Sequence, residues 1–229
     1  MNDYRLKRWQ RKPYMTYFFL GIQIVVFLLA YLFPGLNIES RGSMFGPLVA
    51  YYHEYWRLIT PIFIHYGLMH FAVNSVVLYF MGEQVEAVYG HLRFAAIYLI
   101  SGILGNLMSF ALNQIGIQSA GSSTSLFGLF GAFVVLGIHF KDNRAIQAMV
   151  RQFTLFIAMS FLFSIFDRSV DIWGHIGGLL GGLLLGNVLG LPSNFRKYDT
   201  QTRILSAVFL VVFVIFLVII GFKKYQLPV

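Results

Sequence analysis

The feature that most limits what this chain can fold into is a series of long apolar runs almost empty of charge. The last of them, 204–222, has no polar side chain after Ser206. A helical run of about 20 such residues matches the roughly 30 Å hydrocarbon core of a bilayer. No water reaches that core, so a backbone inside it must satisfy its own hydrogen bonds, which continuous apolar runs do as helices. Only 11% of the 229 residues are charged and 58% are hydrophobic, against about 25% charged in a soluble domain. The expected fold class is therefore an all-α polytopic membrane protein.

Taken in order, the runs predict seven spans, at 14–33, 57–81, 92–112, 123–140, 151–166, 172–191 and 204–222. Residues 1–13 form a basic leader with Arg5, Lys7, Arg8, Arg11 and Lys12. It leads into a full-length apolar segment without a small-residue cleavage site, so no cleavable signal is expected. The connection 34–56 carries Phe45, Tyr51, Tyr52, Tyr55 and Trp56. It is long and rich in aromatics, which predicts a loop partly embedded in the membrane interface. A short loop is expected at 82–91, with Glu83 and Glu86 interfacial and Glu86 bonding backbone. An uncharged loop is expected at 113–122, a tight turn at 167–171, and polar loops at 141–150 and 192–203. The chain has no cysteine, which excludes a disulfide, a thiolate metal site and a cysteine nucleophile.

The net charge of +8 is spent on topology, not on nucleic acid. With the N-terminus in the cytoplasm, the inner segments hold 12 of the 17 Lys and Arg residues, the bias expected for cytoplasmic loops. This predicts N-in and C-out. The ends of spans two, four and six that carry His70, Ser123 and His175 then face the same, outer side. From Ser123 to His139 there are 17 residues, about 25 Å of helix at ~1.5 Å each. If the inner end of that helix marks the cytoplasmic interface, Ser123 sits below the outer surface and water must come down to it.

Polar side chains at membrane depth are costly unless they face protein or water, so the few present outline a candidate site. Ser122, Ser123, Thr124 and Ser125 cluster at the start of the fourth span, and chemistry alone does not choose among them. Ser123 reads as a nucleophile beside the orphan amides of a helix N-terminus, or as a helix cap, for which serine is favoured. His175 reads as a general base or as an interhelical hydrogen-bonding residue. Gly174, Gly177, Gly178, Gly181 and Gly182 strip its helix and let a neighbour approach. His70 and Asn74, four apart, share a helical face and suit an oxyanion. No third ligand at helical spacing accompanies them, so no metal is expected. His65 lies off that face and reads as a loop anchor. Asp171, four before His175, reads as a helix-start residue, which leaves a Ser–His dyad.

Together these residues resemble the rhomboid family of intramembrane serine proteases. The resemblance runs over about residues 14–190, from Trp56-Arg57-Leu58-Ile59-Thr60 through Phe63-Ile64-His65 and His70-x-x-x-Asn74 to Gly121-x-Ser123 and His175-x-x-Gly178-x-x-x-Gly182. It implies a six-helix core at 14–191, with 192–229 a linker and an added seventh helix. It implies Ser123 as nucleophile and His175 as base, and an oxyanion hole of His70, Asn74 and the Ser123 N–H. Phe127 matches a family position whose ring packs beneath the histidine, and Gly121, Gly178 and Gly182 support the site. The implied substrates are single-span membrane proteins, cleaved toward the outer face of the cell membrane without cofactor. The family usually has glycine after the serine; here Thr124 stands there, and its Cβ is expected to crowd the backbone. That departure motivates the alternative, a proteolytically silent relative that binds transmembrane helices. A solute transporter is disfavoured by the lack of an internal repeat and of a mid-membrane charge. The fifth span, rich in Phe with few small residues, is the expected gate.

Overall fold

The computed structural model describes residues 12–166, 170–192 and 198–226. Residues 1–11 of the basic leader, most of the expected turn at 167–171 and the basic part of the loop at 192–203 lie outside them.

The described residues form nine α-helices. Seven are long: α1 (Tyr14–Leu32), α4 (Leu68–Tyr89), α5 (His91–Leu112), α6 (Ser123–His139), α7 (Arg144–Phe166), α8 (Ile172–Leu189) and α9 (Thr200–Gln226). Two short helices, α2 (Ile38–Gly42) and α3 (Gly46–Tyr52), lie in the first connection with 3₁₀ turns at Pro34–Leu36, Tyr55–Leu58 and Thr60–Phe63. Tyr14–Leu32, His91–Leu112, Ile172–Leu189 and Thr200–Tyr225 are long and apolar enough to cross a membrane, and Ser123–His139 is a shorter apolar helix. The all-α polytopic architecture expected from the sequence is present.

Four boundaries differ from expectation, each for a local reason. The second span begins at Leu68, not 57, because Pro61 has no amide to donate, the 3₁₀ turn it starts ends in extended backbone at Ile64, and Gly67 turns the chain at φ +83°. The loop expected at 82–91 is helical through Tyr89, with only Gly90, at φ +79°, separating α4 from α5. The polar residues 144–150 belong to α7, whose start is capped by the Asn143 side chain accepting from the Ala145 and Ile146 amides at 3.1 and 3.2 Å. Likewise Asp199 accepts from the Thr202 amide at 3.1 Å, and α9 starts at Thr200. Charge and polarity mark loops only where no helix end or partner takes them up.

Glu86 shows why the helix can continue through charge. It is buried, and its carboxylate accepts from the Met15 amide at 2.9 Å, the Thr16 amide at 2.8 Å and the Thr16 hydroxyl at 2.7 Å, while His91 Nδ1 also meets it. The amides at the start of α1, which lack intrahelical acceptors, are thus closed by a residue on α4. Glu86→Ala strands those donors and His91, and is expected to cost about 3 kcal/mol. Thermal unfolding in detergent checks this: a lower midpoint with unchanged activity per folded molecule is the expected result.

The tightest packing joins α5, α6 and α8. Its seam is made of glycine. A methyl group added at Gly178 would strike the Thr124 carbonyl, one at Gly182 the Gly128 carbonyl, and one at Gly131 the Leu179 carbonyl. Backbones at that distance exclude any side chain between them, which is how small residues drive association where lipid removes a hydrophobic force. α1 packs on α4, α7 chiefly on α6, and α9 on α5 and α8. In the first connection β1 (Met44–Phe45) pairs antiparallel with β2 (Gln118–Ser119), Met44 opposite Ser119. This pairing fastens the first connection to the segment that leads into Ser123.

Candidate active site

The site is assembled where the start of α6 meets α8. Ser122, not Ser123, is the cap of α6, and its side chain makes no capping bond. The Ser122 amide donates to His65 Nε2 at 3.4 Å, and its hydroxyl lies 3.3 Å from the same nitrogen. The Gly121 amide donates to the Pro61 carbonyl at 2.9 Å. His65 therefore anchors the turn before Ser123, a role the sequence reading placed at a loop without identifying its partner. With the cap position filled by its neighbour, Ser123 is the first helical residue and its side chain is free to face across the seam.

Across that seam, Ser123 Oγ lies 2.9 Å from His175 Nε2, although the two residues are 52 apart in sequence. Ser123 is half-buried and His175 is buried. The imidazole stacks on the Phe127 ring, centroids 4.3 Å apart and planes within 11°. Phe127 follows Ser123 by one helical turn, so α6 supplies both the hydroxyl and the surface that holds the ring facing it. The bond and the stack together fix the imidazole in position and plane.

His70 approaches from α4. A Cβ on Gly121 would lie 2.8 Å from His70 Nε2 and 3.5 Å from Ser123 Oγ, so His70 and the hydroxyl flank the same glycine. Gly121 has φ +134°, a conformation L side chains rarely adopt. It is glycine both for that backbone turn and for the space the imidazole fills. Asn74, buried one turn further along α4, donates one amide hydrogen to the His70 carbonyl at 2.9 Å and keeps a second. The orphan amides at the start of α6 are further donors beside Ser123.

Asp171 is the cap of α8. Its carboxylate accepts from the Gly174 amide at 2.8 Å, from Ser119 Oγ at 2.7 Å and from Asn113 Nδ2 at 3.2 Å. Ser119 and Asn113 were missed by sequence reasoning, since nothing in an uncharged loop singles them out before the fold brings them to Asp171. Thr124, expected to crowd the site, has its side chain in the seam between α5 and α8. Its Cγ2 would lie 3.0 Å from a Cβ on Gly105 and 3.1 Å from one on Gly174. Two glycines make room for the extra carbon. Among the described residues no group of three or more His, Cys, Asp or Glu side chains could hold a metal.

Comparison with known proteins adds the following. A family model described as the Rhomboid domain matches residues 52–192. The rhomboid protease GluP of Bacillus subtilis is 35% identical over 222 residues, 94% of this chain and 41% of GluP. YdcA of the same organism is 30% identical over 168 residues, 73% of this chain and 83% of YdcA. Inactive RHOMBOID-like protein 8 of Arabidopsis thaliana is 36% identical over 146 residues, 62% of this chain and 40% of that protein. The chain thus spans less than half the length of two of these three relatives.

Proposed function

This chain belongs to the rhomboid family, and from that premise we propose that it is an intramembrane serine endopeptidase working through a Ser123–His175 dyad. The observation that carries the proposal is the 2.9 Å contact between Ser123 Oγ and His175 Nε2, made between helices that the glycine seam holds together. Ser123 Oγ attacks the scissile carbonyl carbon while His175 Nε2 takes its proton. The carbonyl oxygen becomes an oxyanion, met by the Ser123 N–H, His70 and Asn74. The tetrahedral intermediate collapses as His175 gives its proton to the leaving amine, and an ester on Ser123 remains. Water, activated in turn by His175, hydrolyses that ester and restores the serine. Asp171 serves as a helix cap, its carboxylate occupied by three donors.

The substrates proposed are single-span membrane proteins whose helix can unwind at the start of α6. The protein sits in the cell membrane, N-terminus in the cytoplasm and site toward the outer face, on the Lys and Arg bias. Residues 14–191 form the catalytic core, with α9 added to it. Incubation of the purified protein with a single-span reporter in vesicles tests this. Cleavage within or beside the reporter's span is expected. Reporter left intact but bound would favour the second reading, a silent helix-binding relative, for which the similarity to a relative named inactive is the support. Glycines on α5 and α8 make room for the Thr124 side chain, which supports the active reading.

The oxyanion assignment makes its own prediction. His70→Ala and Asn74→Ala are each expected to lower kcat by about 10²-fold with little change in KM. Steady-state cleavage of the reporter checks this. A rise in KM alone would make these residues substrate-binding groups instead.

A further inference from the structure

The outer end of α9 reaches a cluster of groups the mechanism does not use. Lys224 Nζ donates to the Phe110 carbonyl at 2.5 Å and to the Asn113 carbonyl at 2.9 Å. These are carbonyls at the end of α5, which lack intrahelical donors and carry the negative end of the helix dipole. An ammonium is the group that best satisfies both. Asn113, held there, extends its amide to Asp171 Oδ1 at 3.2 Å. Asp171 accepts from the Gly174 amide at 2.8 Å, and its carbonyl accepts from the His175 amide at 3.1 Å. A continuous set of hydrogen bonds thus runs from Lys224 through Asn113 and Asp171 to the backbone of His175. Beside it, Tyr225 stacks on Phe110, centroids 5.3 Å apart and planes within 11°, and its carbonyl accepts from Tyr51 of α3 at 2.8 Å. The last turns of α9 therefore hold the end of α5, and the embedded loop, against the start of α8.

We propose that Lys224 is a positioning residue for His175, setting the height and rotation of the first turn of α8 and so the approach of Nε2 to Ser123. This rests on the dyad reading above and deepens it. Lys224 is bonded to carbonyls on α5 and acts on the site through Asn113 and Asp171. Its effect should fall on the chemical step. A misplacement of about 1 Å at a reacting group costs on the order of 10²-fold, and loss of one remote bond moves the ring by less.

The test compares Lys224→Met and Lys224→Arg in the full-length protein. Two quantities are read: the rate of covalent labelling by a fluorophosphonate, well below the unfolding temperature, and kcat and KM on the single-span reporter. Lys224→Met is expected to slow labelling and lower kcat about 5-fold, a fraction of that 1 Å penalty, with KM unchanged. Lys224→Arg, which keeps a donor, should recover most of the loss. Asp171→Asn combined with Lys224→Met should lose less than the product of the two single effects, because both act on one set of bonds. Unchanged labelling in Lys224→Met, a change confined to the melting temperature or to KM, or fully multiplicative losses would each overturn the proposal. If the wild-type protein is not labelled at Ser123 at all, the dyad reading fails and this one with it. Wild-type labelling with an indifferent Lys224→Met removes this one alone.

Discussion

Ser123→Ala is expected to abolish covalent labelling by a fluorophosphonate and to lower reporter cleavage by a factor on the order of 10³ or more. The reason is the role proposed for the hydroxyl. On that proposal Oγ forms the covalent bond, and without it only the slower attack of water is left for the proposed oxyanion donors to assist. His175→Ala should lose about as much, because a serine hydroxyl at its ordinary pKa is a weak nucleophile without a base at hydrogen-bond distance. Residues acting as one unit are not additive, so the double variant should be about as poor as either single one.

 The neighbouring hydroxyls supply the control. Ser122 Oγ lies 3.3 Å from His65 Nε2, and Ser125 Oγ is buried without a hydrogen-bond partner among the described residues. Ser122→Ala and Ser125→Ala should therefore both keep the label. Labelling that survives in Ser123→Ala, or that is lost in Ser125→Ala while the protein stays folded, would reassign the nucleophile.

The second large effect is expected at the glycine seam. Gly178→Ala puts a methyl group against the Thr124 carbonyl, and Gly182→Ala puts one against the Gly128 carbonyl. Neither contact can be relieved by turning a flexible side chain, because both partners are backbone. The two helices must separate, and α6 carries Ser123 while α8 carries His175. A separation of about 1 Å is enough to cost on the order of 10²-fold in rate. The same overpacking should cost about 1–3 kcal/mol in stability. Gly21 on α1 is the control, since a methyl there meets nothing within 4 Å. Gly21→Ala is expected to be neutral or mildly stabilising, as alanine is the better helix former. Labelling rate and thermal unfolding, measured on the same samples, separate the two consequences. A Gly178→Ala protein with wild-type labelling and an unchanged melting temperature would show that the seam is not what holds the dyad together.

Much of this was legible from the chain alone, and particular residues show why. The apolar runs dictate membrane helices because an unpaired backbone group in lipid has no solvent to turn to. The His70-x-x-x-Asn74 spacing puts both residues on one face by helical geometry. Asp171, read as a helix-start residue, caps α8 through the Gly174 amide. Where polar residues were read as loops, at 82–91 and 144–150, the expectation failed because tertiary partners or a cap took up their hydrogen bonds.

The sequence by itself determined the class of protein, the order of its helices and the short roster of polar groups that chemistry could use, because burial in lipid and helical periodicity are local constraints. Only the tertiary structure decided which of the clustered hydroxyls meets His175, that Thr124 fits between two glycines, and that Lys224 is joined to the start of α8. Those outcomes depend on contacts between residues tens of positions apart, where rotation of a helix by a fraction of a turn changes every partner and no local pattern records the choice.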